Sequence, residues 1–370
     1  MTVDTARIPT QPRLAPDVEA FPASDGHVYV LRGGPEPDLV IEDAGPRERA
    51  LLALLAEGET PAGEFAARLD VAAPGGDGTL DVMGALGALA AHGLLQEAAP
   101  ASRASGLTTE ERARYDRQLP YLASAGRDAE TAQLRLRDAR VTILGVGGLG
   151  SWTLCGLACA GVGHVRIVDH DTIELSNLNR QLLYRRDDVG RKKVDVAAEA
   201  IAAFNPSIVV EPIAERASGP DDVARAVEGA DVVVATADWP MYDLARWVNR
   251  ACLAADVSWI AASQVPPLVR IGPTHVPGRT GCMECQERAG RRAFELYDEL
   301  AEWRQAHPTV ATTLGWASGV IGSLLAGEVI HQLTGVTEPA TTGTAITIDL
   351  RTLEVRRERV ERDPDCPLCS

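Results

Sequence analysis

The sequence has few aromatic residues and no long apolar run. Phenylalanine, tryptophan and tyrosine together make up 4% of the 370 residues, so the cores must be built from alanine, valine, leucine and isoleucine. No segment approaches the run of about 20 apolar residues that spans a bilayer. The amino terminus lacks the charged and then apolar layout of a secretory signal. These absences predict a cytoplasmic protein with no membrane partner.

Basic residues are scarce relative to acidic ones. The sequence has 36 Lys and Arg against 52 Asp and Glu, which gives a formal net charge of −16. Binding of a nucleic acid polymer requires clustered cations for the phosphates, so this function class is excluded. A small basic pocket for a single nucleotide is still compatible with the composition.

Seven cysteines are present, and in the cytosol they are expected to be metal ligands or core thiols, not disulfides. Four of them form two Cys-x-x-Cys pairs, Cys282 with Cys285 and Cys366 with Cys369. Four thiolates in two such pairs predict a closed, structural, tetrahedral Zn²⁺ site. The alternative is four unrelated core thiols.

The length predicts about two domains. Residues 1–20 contain three prolines and little periodicity, which indicates a flexible arm. Residues 21–98 contain two hairpin-like strands and three short helical patterns, which predict a small winged-helix-type domain. Residues 99–111 are a linker rich in small residues, and residues 112–370 form the larger domain. The small domain is expected to bind a peptide along a strand edge, or else to be a packing or dimerisation appendage.

The larger domain alternates short apolar strands with helical patterns. The predicted strands are Arg140–Leu144, Val165–Val168, Ile208–Val210, Asp231–Ala235 and Trp259–Ala261. This alternation is typical of an α/β fold with a doubly wound, mostly parallel, Rossmann-like sheet.

A glycine loop, GVGGLG, stands between the first of these strands and a helix. Its glycines are Gly145, Gly147, Gly148 and Gly150, and they allow a phosphate to approach the backbone at a helix N-terminus. Asp169 ends the next strand, where a carboxylate can accept hydrogen bonds from a ribose diol. These features predict a nucleotide site but do not separate NAD from ATP.

The polar residues after the loop favour ATP. Asn177, Arg180 and Gln181 follow the second strand, and Lys193 comes shortly after them. A hydride-transfer enzyme has little use for cations at the phosphates, whereas an enzyme that splits ATP between its α- and β-phosphates needs them. Asp238, after a later strand, is placed to hold Mg²⁺ at those phosphates.

The motifs GVGGLG, VDHDTIELSNLNRQLL and DDVGRKKVD and the cysteine pairs occur in one order along residues 112–370. In these motifs the chain resembles the ubiquitin-activating-type (ThiF/MoeB) adenylyltransferase superfamily. The resemblance implies a homodimer in which Arg117, in the motif RYDRQ, reaches the ATP site of the partner subunit. It also implies that Asp238 binds Mg²⁺ and is essential for adenylation.

The same resemblance assigns ribose binding to Asp169 and phosphate binding to Asn177, Arg180 and Lys193. With Arg117 and Asp238, Arg180 and Lys193 make up the expected catalytic set.

The segments DWPMYDLARWVNRACLAADVSWIAAS and GPTHVPGRTGCMECQ are most similar to the microcin C-type peptide adenylyltransferases, which also carry an N-terminal peptide-clamp domain. This resemblance implies ATP-dependent adenylation of the C-terminal carboxylate of a ribosomally made peptide. Two alternatives stay open: activation of a ubiquitin-like sulfur carrier, and a non-catalytic scaffold that presents a leader peptide to a cyclising enzyme. The last residue of the peptide and the fate of the adenylate are not visible in the sequence.

Overall fold

The computed structural model describes residues 8–15, 17–34, 36–74, 80–98, 106–123, 128–307 and 313–370. The chain forms two compact units, with the division between Leu134 and Arg135. Among the described residues, no helix is long and apolar enough to cross a membrane.

The first unit combines short strands with short helices. Its strands are β1 (Pro12–Leu14), β2 (Val18–Pro22), β3 (Val28–Arg32), β4 (Leu39–Ile41) and β5 (Leu95–Glu97). Its helices are α1 (Pro46–Glu57), α2 (Phe65–Ala72), α3 (Val82–Ala91), α4 (Thr109–Tyr115) and α5 (Leu119–Leu122), and α6 (Ala129–Asp138) crosses the division. A 3-10 helix, Ala62–Glu64, precedes α2. β2, β3 and β4 form an antiparallel sheet in that order, and β1 pairs with β5.

Leucines from the three helices α1, α2 and α3 form the core of this unit. Leu55, Leu69 and Leu86 are completely buried, together with Phe65. Asp81 is the N-cap of α3, and its carboxylate accepts a hydrogen bond from the Gly84 amide and so satisfies a free donor of the first turn. The predicted pair of strands and three helices are therefore present, while the winged-helix assignment stays a prediction.

The flexible arm predicted for residues 1–20 is wrong where the structure describes it. β1 pairs antiparallel with β5, and β2 pairs with β3. These ladders satisfy the backbone groups of short segments that have no apolar alternation for a sequence pattern to detect. Residues 1–7 and 16 lie outside the described residues.

The linker predicted for residues 99–111 is also shorter than expected. Residues 99–105 lie outside the described residues, but Thr108 and Glu111 form a reciprocal cap at the start of α4. The boundary between the two compact units, after Leu134, also differs from the domain start predicted at residue 112. Ion pairing of Arg112 with Glu130 and a Gln118–Gln133 hydrogen bond join α4 and the α5 start to α6.

The second unit contains a large sheet and the helices that cover it. Its strands are β6 (Arg140–Leu144), β7 (His164–Val168), β8 (Val209–Ile213), β9 (Val232–Ala235), β10 (Ser258–Val265), β11 (Leu268–His275), β12 (Thr344–Asp349) and β13 (Glu354–Arg359). Its helices are α7 (Gly148–Ala160), α8 (Lys193–Phe204), α9 (Pro220–Val227), α10 (Asp243–Ala255), α11 (Met283–Ala293), α12 (Tyr297–Ala306) and α13 (Gly315–Thr334). Two 3-10 helices, Leu175–Asn177 and Arg186–Asp188, lie between β7 and α8.

These strands form one sheet in the order β13-β12-β11-β10-β9-β6-β7-β8. The five strands from β10 to β8 are parallel to one another. The order along the chain reverses between β6 and β9, and in open α/β sheets ligands bind at the carboxyl ends of the strands at such a point. The predicted Rossmann-like, mostly parallel sheet is confirmed.

Both faces of the sheet are covered at its centre. All four residues of β9 are buried, although neighbouring side chains along a strand point to opposite faces. Val233 and Ala235 belong to a core cluster with residues of α9 and α10. A strand without polar alternation is typical of a parallel sheet with helices on both sides.

The strands β11, β12 and β13 extend the sheet in antiparallel fashion and were not predicted. β13 has the sequence EVRRER and is exposed along its whole length. It therefore has no buried face to produce an apolar alternation, and pairing with β12 determines it.

Glycines allow α7 and α13 to approach each other closely. A Cβ added to Gly322 would overlap the Cβ of Trp152 and lie 2.8 Å from the carbonyl oxygen of Leu149. The indole of Trp152 also packs on Gly319, where an added Cβ would lie 3.4 Å from the ring, an ordinary van der Waals contact. α13 also contacts β10 and β11, so this glycine face ties the helix after the glycine loop to the helix beside the sheet.

We expect Gly322→Ala to destabilise the protein by about 1–3 kcal/mol, the usual range for overpacking a rigid contact. Gly327→Ala is the matched control on the same helix, because an added Cβ there meets no atom within 4 Å. It should be neutral or stabilise by up to about 1 kcal/mol, since alanine has the higher helix propensity. Urea unfolding measures both, and equal free energies of unfolding for the two variants would contradict the packing argument.

Candidate functional site

The glycine loop lies at the point where the strand order reverses. Gly145 follows β6 with φ +94°, a conformation that favours glycine. A Cβ there would lie 2.7 Å from the backbone nitrogen of Ala237, which follows β9. The loop and the end of β9 are thus in direct backbone contact, which any larger residue would break.

The second half of the loop is closed by Gly150. A Cβ at this position would overlap the carbonyl oxygen of Gly145. The same oxygen accepts a hydrogen bond of 2.7 Å from the hydroxyl of Thr236. Because α7 begins at Gly148, the amides of its first turn have no partner within the helix and could bind an anion at the crevice.

Asp169 connects the end of β7 to this loop. One carboxylate oxygen accepts a hydrogen bond from the Val146 amide, and the other accepts one from the Asp171 amide, both at 2.9 Å. The carboxylate is half-buried. Its remaining lone pairs lie beside the glycine loop, where the sequence places a ribose.

Gln181 and Arg180 approach the loop from the segment after β7. Gln181 is 2% exposed, and its Oε1 has no hydrogen-bond partner among the described residues. Its Nε2 lies 3.7 Å from the position of a Cβ on Gly147, and the Arg180 Cδ lies 3.3 Å from one on Gly148. A buried acceptor without a donor is costly, so Gln181 is well placed to receive a ligand hydroxyl.

Asn177 organises this segment. Its Oδ1 accepts a hydrogen bond from the Glu174 amide, and its carbonyl oxygen accepts from the amides of Arg180 and Gln181. The side chain is buried. The Arg180 guanidinium donates through Nη1 to the Ser176 carbonyl oxygen at 3.0 Å.

Lys193 is held by an acidic residue that the sequence analysis missed. Its Nζ lies 2.7 Å from the Asp171 carboxylate, and only 6% of its side chain is exposed. Burial alone raises the pKa of Asp171, but the hydrogen bond and charge of Lys193 outweigh burial and leave that pKa below its usual value. Lys192 and Lys193 are the two lysines of the entire sequence. Asp169 and Asp171 thus link Lys193 to the glycine loop.

Asp238 lies at the carboxyl end of β9, next to Ala237. The Ala237 amide donates to the carbonyl oxygen of Leu144 at 2.7 Å, so Asp238 follows directly on the contact with the glycine loop. Its side chain is exposed, and the neighbouring Trp239 is 41% exposed. An exposed carboxylate at this edge could hold a cation.

Two further residues support the loop, although no sequence motif marks either of them. Thr236 binds the Gly145 carbonyl, and the Tyr184 hydroxyl donates to the Val146 carbonyl oxygen at 2.7 Å. Burial raises the pKa of Tyr184 well above its usual range, so the phenol stays protonated and remains a donor. Both positions became identifiable only once the loop was placed.

Arg117 belongs to the first unit. Its side chain is fully exposed and forms an ion pair of 3.6 Å with Asp116. Its expected part in the ATP site of a partner subunit stays a prediction.

The four predicted metal ligands come together. The Sγ atoms of Cys282, Cys285, Cys366 and Cys369 all lie within 4.8 Å of one another. Neighbouring sulfurs are 3.4 to 3.9 Å apart, and a tetrahedral zinc with bonds of about 2.3 Å requires sulfurs about 3.8 Å apart. The cluster could therefore hold zinc, with all four positions filled by thiolates.

Asp363 attaches the C-terminal cysteine pair to α11. Its amide lies 3.4 Å from Cys285 Sγ, and its carboxylate accepts from Arg288 at 2.8 Å and Arg292 at 2.7 Å. These guanidinium groups, Arg288 foremost, hold the pKa of Asp363 below its usual range. The carboxylate is therefore charged and its ion pairs persist at neutral pH.

A buried carboxylate joins the cysteine cluster to the helix after Asp238. Glu287 on α11 is 1% exposed and accepts from Arg246 of α10 at 2.9 Å and from Arg291 at 3.4 Å. A buried charge is tolerated only when it is paired. Because Cys282 is the N-cap of α11 and Glu287 ties α11 to α10, a metal in the cluster would also hold α10 in place.

Comparison with known proteins agrees with this geometry. The sequence pattern of the ThiF family matches residues 115–368. Protein HesA, heterocyst, of Trichormus variabilis is 34% identical over 264 residues, which are 71% of this chain and 90% of HesA. The molybdopterin-synthase adenylyltransferase of Escherichia coli K12 is 31% identical over 71% of this chain and 98% of its own length.

A solved structure matches over nearly the whole chain. The crystal structure of E. coli MccB with AMPCPP and selenomethionine MccA superposes with a TM-score of 0.75 at 26% sequence identity. The match covers 97% of this chain and 99% of that one.

We expect the purified protein to contain about one zinc per chain, because the four thiolates form a closed site. Cys366→Ser should remove most of this zinc and lower the melting temperature. Cys159→Ser is the control, since Cys159 is exposed on α7 and lies outside the cluster. Elemental analysis after dialysis gives the answer, and equal zinc in both variants would rule out the four-cysteine site.

Proposed function

The chain belongs to the ThiF family, and on that premise we propose that it adenylates the C-terminal carboxylate of a ribosomally made peptide. Family membership also confirms the predicted enzyme class, an ATP-dependent adenylyltransferase. One observation carries the choice of a peptide. The match to MccB, solved with MccA, spans 97% of this chain and therefore includes the first unit, whereas HesA and the molybdopterin-synthase enzyme each match 71%.

The proposed reaction is an in-line substitution at the α-phosphorus of ATP. A carboxylate oxygen of the peptide forms a bond to this phosphorus, the bond to the bridging oxygen of the β-phosphate breaks, and pyrophosphate leaves. The products are a peptidyl adenylate and pyrophosphate. Holding both reactants in the crevice supplies much of the acceleration.

The residues at the crevice would each recognise a part of ATP. Asp169 has lone pairs left for the ribose diol, and the buried Oε1 of Gln181 needs a donor, which a ribose hydroxyl supplies and a phosphate does not. The glycine loop and the N-terminus of α7 would bind the phosphates through backbone amides.

Cations around the loop would stabilise the developing charge. Asp171 engages one of the three N–H donors of Lys193, which leaves two for phosphate oxygens. The guanidinium of Arg180 likewise keeps donors free beyond those given to Ser176 and Asn179. Asp238 would hold Mg²⁺, which when bound neutralises phosphate charge. Arg117, fully exposed in its own chain, would complete the site of a partner subunit in a homodimer.

The first unit would grip the peptide. β4 is an edge strand of its sheet, so its outer backbone groups can pair with an added strand. Beside it lies an apolar cavity of about 160 Å³. Its lining residues are Leu39, Ile41, Glu48, Leu51, Leu52, Leu80, Ala85, Ala88 and Leu89. An edge strand next to an apolar cavity suits a peptide that pairs through its backbone and buries alternate side chains.

Activation of a ubiquitin-like sulfur carrier is the second candidate. It is favoured by the identity of 31% to the molybdopterin-synthase adenylyltransferase and 32% to the sulfur carrier protein ThiS adenylyltransferase of E. coli K12. This function would require a carrier ending in Gly-Gly and would leave the first unit without a task. A non-catalytic leader-peptide scaffold would bind peptide but would have no use for the crevice residues.

Exchange of labelled pyrophosphate into ATP tests the proposal. A pool of synthetic decapeptides, randomised at the last three positions, should drive exchange, and Asp238→Asn should reduce the rate about 100-fold or more through lost charge stabilisation. Asp256→Asn, at an exposed residue ending α10, should leave the rate unchanged. Exchange driven only by a Gly-Gly-ended carrier would favour the second candidate, and peptide binding without exchange would favour the scaffold.

Blocking the cavity of the first unit tests the peptide grip. Ala88→Trp should raise the KM for the peptide at least about fivefold by filling the cavity, without changing the KM for ATP. Ala91→Trp, at an exposed position of the same helix outside the cavity lining, is the control. An unchanged peptide KM in Ala88→Trp would refute this role.

A further inference from the structure

A glutamine and a serine form a polar pair beside the glycine loop that none of the predicted roles uses. Gln264 of β10 and Ser318 of α13 lie within hydrogen-bond distance, with Nε2 at 3.1 Å and Oε1 at 3.3 Å from the serine hydroxyl. Ser318 is completely buried, and its Oγ lies 3.1 Å from the position of a Cβ on Gly148. The pair therefore borders the first residue of α7.

The position of Gln264 in the sheet points to a ligand. Ala261 of β10 pairs with Ala235, the last residue of β9, so Gln264 lies three residues beyond the end of the parallel ladder. This is the carboxyl edge, at which ligands of open α/β sheets bind. Gln264 is half-buried, so part of the residue is accessible from this edge.

The hydrogen-bonding capacity of the pair leaves one amide donor free. A serine hydroxyl has one proton, which Ser318 can donate to Gln264 Oε1. Because Nε2 also donates to the Ser318 hydroxyl at 3.1 Å, one N–H of the Gln264 amide is held by Ser318, and the second N–H remains for a ligand with its direction fixed by that contact. A neutral amide can hold a carboxylate by hydrogen bonds without the strong charge pairing that would weaken it as a nucleophile.

We infer that Gln264, oriented by Ser318, binds the terminal carboxylate of the substrate and places it next to the glycine loop. This inference rests on the proposed function and names the residue that presents the carboxylate to the α-phosphate. The substrate class is a peptide or small protein with a free C-terminal carboxylate. Gln264 is a substrate-orienting residue, and Ser318 is a positioning residue that acts through it.

A second glutamine–serine pair between the same two elements provides a matched control. Gln332 of α13 donates to the hydroxyl of Ser258 at 3.4 Å. Ser258 is the first residue of β10, so this pair lies at the opposite edge of the sheet from the crevice. Both glutamines join β10 to α13, but only Gln264 borders the glycine loop.

The test uses the full-length protein, the decapeptide pool described above and the same pool with amidated C-termini. Gln264→Glu places a negative charge against the substrate carboxylate, so the KM for the free-acid pool should rise at least about tenfold. The KM for ATP should change less than about twofold. Binding of the amidated pool, measured as inhibition of exchange, should be unaffected. Gln332→Glu should leave the KM for the free-acid pool, the KM for ATP and the inhibition by the amidated pool at their wild-type values. Ser318→Ala should raise only the KM for the free-acid pool, by about two- to fivefold.

An unchanged free-acid KM in Gln264→Glu would overturn the inference. Equal weakening of the free-acid and amidated pools would also overturn it, because that result marks a structural role. If the wild-type protein itself shows no exchange with peptides, the proposed function fails and this inference fails with it. If the wild type shows exchange and Gln264→Glu leaves the KM for the free-acid pool unchanged, this inference is rejected and the proposed function stands.

Discussion

The backbone contact between the glycine loop and the end of β9 is the constraint on which the site depends. Gly145 lies so close to Ala237 that no side chain fits between them, and Gly150 closes the loop onto Gly145 from the other side. Because the strand order reverses at this contact, the crevice opens here and not elsewhere along the sheet. The first turn of α7, Asp169 and Asp238 take their positions from it.

Ion pairs fix the residues and helices that surround the loop. Lys193 is buried and donates a hydrogen bond to the Asp171 carboxylate, and the Asp171 amide donates one to Asp169 beside the loop. Glu287 is buried between arginines of α10 and α11, and Asp363 between arginines of α11 and the C-terminal cysteine pair. Each pair costs desolvation and is stable only when complete. The cysteine cluster and the Asp238 edge are thus connected through α10 and α11 of one unit.

Strong local patterns allowed much of this architecture to be predicted. The parallel strands were found because they are short, apolar and buried on both faces, and the glycine loop and cysteine pairs because their spacing has few other uses. β11, β12 and β13 were missed because their pairing partners, not their own sequence, determine them. β1 was assigned to a flexible arm for the same reason: three residues have no periodicity, and only the distant β5 makes them a strand.

By itself the sequence determined the α/β class, the nucleotide loop, the candidate ligands and the family, since these depend on residues close together in the chain. Only the tertiary structure decided which residues support them. Asp171 beneath Lys193, Thr236 and Tyr184 on the loop carbonyls, and Gln264 with Ser318 beside Gly148 are each joined by contacts between separate elements. Hydrogen bonds act over about 3 Å in space, and no local pattern records which distant side chain comes within that distance.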